Sequence, residues 1–202
     1  MLTRSNRTQL AALLMATVAL APIIAFAQAA LGRDVPKEKQ TTLGLYVTAQ
    51  EAFEKWKADP GKVKILDVRT PEEFIFIGHP AGAWNVPLVL QTHDWDAAKR
   101  HLAMKPNPDF IAQVKEVAGP DDMLLVICRS GGRSAKAVNM LAEAGFKNAY
   151  TVTDGMEGDL VDDPGSAFHG KRMKNGWKNA GLPWTYDVDP ERMRLPAEPQ
   201  SK

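Results

Sequence analysis

The sequence holds a single cysteine, Cys128, in 202 residues. One thiol cannot form an internal disulfide, and it cannot build a thiolate metal cluster. The four histidines, His79, His93, His101 and His169, fall at no metal-ligand spacing, so no metal site is expected. Charge of one sign is missing too: 25 Lys and Arg stand against 24 Asp and Glu, a formal net charge of +1. The basic excess of a nucleic-acid binder is therefore absent, and no nucleic-acid partner is expected. Neither an internal repeat nor a low-complexity tract occurs. What remains is 45% hydrophobic and 24% charged, the composition of an ordinary globular domain, with enough chain for one.

One long apolar run stands near the N-terminus, from Leu10 to Ala21, after Arg4 and Arg7 and before Pro22. Small residues follow at Ala25, Ala27 and Ala29. This is the pattern of a secretory signal peptide over 1–29, cleaved after Ala27 or Ala29, and the run is short for a membrane span. The expectation is a periplasmic or secreted protein with no membrane association after cleavage. Loss of the two arginines would take the formal charge from +1 to −1.

Residues 30–44 read as a linker or arm, 45–186 as one domain, and the proline-bearing 187–202 as a loosely held tail. Thr48 and Glu51, and again Thr70 and Glu73, have capping-box spacing, which predicts helices after each threonine. Pro71 suits a first helical turn. Apolar runs at 62–68, 83–87, 123–127 and 149–152 predict strands. Residues 95–104 have a weaker, helix-like pattern; 109–117 and 133–144 read as helices. Strands alternating with helices predict a parallel sheet with right-handed crossovers. In such sheets ligands bind beyond the strand C-termini, where Cys128 falls.

Cys128-Arg129-Ser130-Gly131-Gly132-Arg133-Ser134 follows the most apolar strand and opens a helix. A helix N-terminus, a turn of backbone amides and two arginines form an anion cradle with a nucleophile at its base. The thiolate is the reactive form, and helix N-termini and cations favour it. Phosphate-transferring cysteine enzymes space their arginine as C-x5-R. Here it is C-x4-R, a smaller ring of amides that suits one transferred sulfur atom better than a phosphoryl group. A cysteine phosphatase or arsenate reductase is therefore the weaker reading.

The loop resembles the rhodanese signature C-x-x-G-x-R-[ST], met by Cys128, Gly131, Arg133 and Ser134. Residues 66–74 with 78–87 resemble the upstream signature of that family, and 154–158 sits where a glycine-rich turn is usual. The resemblance, which covers about 45–186, implies a doubly wound α/β domain with a central five-stranded parallel sheet flanked by helices. It implies a sulfurtransferase in which Cys128 takes sulfur from thiosulfate or another sulfane-sulfur donor as a persulfide. A thiophilic acceptor (cyanide, a thiol or a sulfur-accepting protein) then removes it. No cofactor is implied. Arg129, Ser130, Gly131, Gly132, Arg133 and Ser134 form the binding loop, with Asp67, Arg69 and Glu73 in support. Arg133 has two readings: it orients the donor anion, or it turns inward and pairs with Asp67 or Glu73. The alternative to an enzyme is a non-turnover carrier that holds persulfide for a partner. Segments 88–110 and 156–186 are longer than a minimal module needs. Lys171, Arg172, Lys174 and Lys178 make the second either an anion- or partner-binding surface or, more simply, a solvated loop.

Overall fold

A computed structural model describes residues 34–195; the expected signal peptide lies outside the described residues. Nine β-strands and four α-helices build the described domain. Strand β1 is Tyr46–Val47, helix α1 Ala49–Ala58, β2 Val63–Asp67, α2 Pro71–Ile77, β3 His79–Pro80 and β4 Trp84–Asn85. Then come β5 Val89–Asp96, β6 His101–Pro106, α3 Phe110–Val117, β7 Met123–Ile127, α4 Gly132–Glu143, β8 Ala149–Val152 and β9 Trp184–Thr185.

The central sheet has the order β1-β8-β7-β2-β4, every neighbouring pair parallel. Both faces are covered, so its middle strand has no polar side. Leu124, Leu125, Val126 and Ile127 are each wholly buried. Pleating sends them alternately to two cores. Leu124, Val126 and Cys128 join Phe110 and Val114 of α3 and Ala137, Val138 and Leu141 of α4. Leu125 and Ile127 join Ala49 and Ala52 of α1, Phe74 of α2, and Trp177. This is the expected doubly wound α/β domain.

Both capping boxes form. Thr48 Oγ1 accepts the Glu51 N–H while the Glu51 carboxylate accepts the Thr48 N–H; Thr70 and Glu73 repeat the arrangement. Gly78, in the left-handed region at φ 87°, stops α2 and turns the chain into β3.

The structure corrects the helical reading of 95–104. That stretch belongs to an antiparallel hairpin of β5 and β6, with Trp95 opposite Leu102 and a turn at Arg100, φ 56°. Most of its residues are exposed, so burial imposes no period-two alternation to read. The described part of the arm is docked, with Val35 and Lys39 buried and Leu43 packed on the core. Residues 187–195, expected to be loosely held, are also tied down. Arg194 N–H donates to Asn85 O at 2.9 Å, Arg192 Nη1 to Gly82 O at 2.7 Å, and Arg194 pairs with Glu116. Among the described residues no helix is long and apolar enough to cross a membrane.

Candidate active site

Cys128 is the first residue beyond β7, at the C-terminal end of the most buried strand. Its side chain is closed from below by the core that holds Val126, and the residue is only 1% exposed. Three residues later Gly131 takes φ 102°, a left-handed conformation that turns the chain back over the sulfur and starts α4. A Cβ there would lie 2.3 Å from the Thr153 carbonyl oxygen, so space as well as φ demands glycine.

The turn brings the Gly131 N–H to Cys128 Sγ at 3.2 Å, and Ser134 Oγ lies 3.7 Å from the sulfur. The sulfur thus sits at the N-terminus of a twelve-residue helix, where aligned peptide dipoles favour negative charge. Ser134 is wholly buried and belongs to a short hydroxyl chain. Its Oγ donates to Gly131 O at 2.8 Å and lies 2.7 Å from Thr151 Oγ1 of β8.

From the far side the turn at 154–157 clamps the loop's first residues. Met156 N–H donates to Cys128 O at 2.8 Å, and Glu157 N–H to Arg129 O at 2.9 Å. Gly155 permits this approach, since a Cβ there would stand 2.6 Å from Cys128 O. Asp154 anchors the clamp by accepting Ala49 N–H at 2.8 Å and Gly176 N–H at 3.1 Å. Burial pushes the Asp154 carboxyl above the usual carboxylate range, and the two backbone donors offset only part of the shift.

The structure decides between the two readings of Arg133. Its guanidinium faces inward and grips Glu73 with two 2.6 Å hydrogen bonds, Nη1 to Oε2 and Nη2 to Oε1. Burial works against the Glu73 charge, but the Arg133 hydrogen bonds and charge outweigh it and hold the carboxyl below its usual range. Asp67 is not available to Arg133, because Arg69 takes it. Arg69 Nε lies 2.9 and 3.0 Å from the two Asp67 oxygens, and Nη2 lies 2.6 Å from Oδ2. Arg69 Nη2 also donates to Gly78 O, and Asn85 Nδ2 donates to the carbonyls of Asp67 and Arg69. The Asp67–Arg69 pair is wholly buried and fixes the end of β2 beside β7. The Arg133–Glu73 pair ties the loop to α2 while Arg133 also forms part of the wall of the sulfur's open side; the Asp67–Arg69 pair does not line that side.

That open side is a cavity of about 320 Å³ lined by Glu38, Cys128, Arg129, Ser130, Gly132, Arg133 and Lys136. Arg129 and Lys136 are exposed cations at its rim. All seven loop residues expected from the sequence therefore meet at one place, with Arg129 and not Arg133 free toward solvent. Sequence reasoning missed Glu38, Lys136 and Thr151, and had Gly155 only as part of the glycine-rich turn at 154–158. Lys136 was legible, one turn along the helix from Gly132. Glu38 and Thr151 reach the site only through tertiary contact and leave no local signal. His79 is structural, donating from Nδ1 to Phe74 O at 3.1 Å and stacking on the Phe74 ring. Among the described residues no group of three His, Cys, Asp or Glu side chains could hold a metal ion.

Comparison with known proteins agrees with this geometry. The family described as "Rhodanese-like domain" matches residues 49–160. The chloroplastic thiosulfate sulfurtransferase 16 of Arabidopsis thaliana is 42% identical over 92 residues, 46% of this chain and 69% of that protein. An uncharacterized protein of Rickettsia prowazekii is 30% identical over 122 residues, 60% of this chain and 82% of that one. A solved protein of M. tuberculosis superposes with a TM-score of 0.54 at 28% identity, covering 70% of this chain and 96% of that one. With the domain matched over more than half of its length and the cysteine loop seated where the fold requires it, this chain belongs to the rhodanese-like family.

Proposed function

We propose that the protein is a sulfurtransferase that carries a sulfane sulfur on Cys128, with thiosulfate as the donor class. The observation that carries this reading is the sulfur's setting: one buried nucleophile, a 3.2 Å amide donor and a helix N-terminus beneath a cavity rimmed by Arg129 and Lys136. The matched family and the printed name of the Arabidopsis relative support it.

The Cys128 thiolate attacks the outer sulfur of thiosulfate. A sulfur–sulfur bond forms to Cys128, the donor's own sulfur–sulfur bond breaks, and sulfite leaves with the electron pair. In the second step the acceptor, cyanide or a thiolate, attacks the outer persulfide sulfur. The pair returns to Cys128, and thiocyanate or a new persulfide departs. The attacking thiolate and the persulfide anion both carry negative charge on sulfur, so fixed donors at the loop serve both.

Ser134 has a part in this. A protonated Sγ donates toward Ser134 Oγ, whereas an ionised one needs a donor. Rotation of the Ser134 hydroxyl from Gly131 O to the sulfur supplies it, and Thr151 can still donate to Ser134 Oγ. Residues 1–29 would export the protein to the periplasm, which N-terminal sequencing of the protein from cells would check.

Steady-state turnover with thiosulfate and cyanide tests the assignment, read as thiocyanate formed. Sustained turnover supports an enzyme. A single stoichiometric transfer, completed only by a partner protein, identifies a carrier instead. Hydrolysis of an aryl phosphate at a comparable rate would overturn the sulfur assignment.

A further inference from the structure

Residues 159–175 leave the domain and return to it at one point. The backbones of Gly158 and Gly176 meet so closely that a Cβ on Gly176 would sit 2.4 Å from the Gly158 nitrogen. Asp159 N–H donates to Asn175 Oδ1 at 2.7 Å, and Asn175 Nδ2 to Asp159 Oδ2 at 3.1 Å. Asn179 Nδ2 lies within 3.0 Å of three carbonyls, those of Glu157, Arg172 and Asn175. Asp159 also takes Lys39 Nζ at 2.7 Å, and the Lys39 stem packs against Gly131. The base of the excursion is thus fastened to the cysteine loop, through Lys39 on one side and the Glu157 N–H to Arg129 O bond on the other.

Arg172 is carried back to that base. Its Nη1 donates to Gly158 O at 2.8 Å, and among the described residues no carboxylate closes an ion pair with it. Partial burial, then the nearby Arg129 guanidinium, draw its basicity down, while Glu157, Asp159 and Cys128 work the other way. Gly158, whose carbonyl holds Arg172, directly follows Glu157, whose N–H holds the Arg129 carbonyl, so the two arginines are anchored on adjoining residues of one clamp, and an anion bound between two such cations relieves their repulsion.

We propose that Arg172 is a specificity-determining residue that forms, with Arg129, a two-guanidinium rim selecting doubly charged sulfane-sulfur donors. This rests on the sulfurtransferase reading. Arg172 stands outside the wall of the 320 Å³ cavity. It acts on the approach and orientation of the donor's charged end and leaves the displacement at sulfur to the loop. Its contribution falls on the donor KM and not on kcat.

The test is two-substrate kinetics at low and high ionic strength for the wild-type protein and for Arg172→Gln and Arg172→Lys. Thiosulfate serves as the dianionic donor and an aromatic thiosulfonate as a singly charged one. Arg172→Gln should raise the thiosulfate KM roughly threefold to tenfold at low salt, with kcat and the cyanide KM unchanged. The effect should shrink for the thiosulfonate and at high salt, and lysine should restore most of it. A thiosulfate KM unchanged in Arg172→Gln would overturn the proposal, as would an equal loss of kcat with both donors, the mark of a collapsed excursion. A wild-type protein that turns over neither donor would instead sink the sulfurtransferase reading itself.

Discussion

Replacing Glu73 by alanine removes two 2.6 Å charge-assisted hydrogen bonds from Arg133 and the bond from Thr70 N–H that closes a capping box. It leaves the Arg133 guanidinium, whose side chain is 19% exposed, without its partner. Truncating one member of a buried ion pair costs about 3–5 kcal/mol. This pair lies at the domain's edge and some water reaches it, so the lower end applies, about 3 kcal/mol. Half of a capping box adds roughly 0.5–1 kcal/mol. At about 2–4 °C per kcal/mol for a domain of this size, the melting temperature should fall by roughly 7–16 °C. Glu73→Gln keeps an acceptor for Thr70 and loses the charge, so it should cost about half as much. Denaturant melts of Glu73→Ala, Arg133→Met and the double variant give the coupling directly, which should reach about 1.5 kcal/mol or more. The pH dependence provides a second reading. A carboxyl whose folded pKa is depressed contributes stability that is present above its unfolded pKa and lost as pH falls through the folded one. The wild-type protein should therefore lose more stability than Glu73→Gln on acidification below about pH 4.3. Single costs that simply add, with no difference in acid sensitivity, would refute the bracing role of this pair.

Gly131→Ala should destabilise by at least about 1–3 kcal/mol and remove most transfer activity, because φ 102° is strained for alanine and the Cβ would strike Thr153 O. Melts and turnover of that variant check it; a wild-type rate would contradict the loop geometry. For His79, burial depresses the folded pKa, so its contribution is present above about pH 6.5 and is lost as pH falls through the lower folded value. A His79→Gln variant should show a flatter melting curve against pH between 7 and 5. Trp177→Ala empties a core site that is 1% exposed and should cost about 3–5 kcal/mol in denaturant melts.

Where local chemistry decides the outcome, the sequence can be read directly. The two capping boxes need only four residues each, and both helices start where Thr48 and Thr70 place them. The continuous apolar run at 123–127 announces a strand covered on both faces, and the Gly-Gly turn after Cys128 announces the helix N-terminus beneath the sulfur. The inward turn of Arg133 was one of two open readings. A partner sixty residues away settles it, and spacing along the chain carries no trace of that contact. The hairpin over 89–106 was illegible for the opposite reason. Its residues face solvent, so neither period is enforced, and Asp96 to Arg100 resemble a helix start more than a turn. The docking of Lys39 and Glu38 against the cysteine loop depends on contacts spanning most of the domain, such as Lys39 with Asp159.

Intact-mass spectrometry of the purified protein after incubation with thiosulfate, without added reductant, tests the role of Cys128 most directly. The expected result is a gain of one sulfur atom on the wild-type chain, removed on adding cyanide with thiocyanate released in equal amount. Cys128→Ser, whose hydroxyl can still accept from Gly131 N–H, should show no gain. A wild-type chain that takes up no sulfur, or a Cys128→Ser chain that takes up as much, would contradict the assignment of Cys128 as the sulfur carrier.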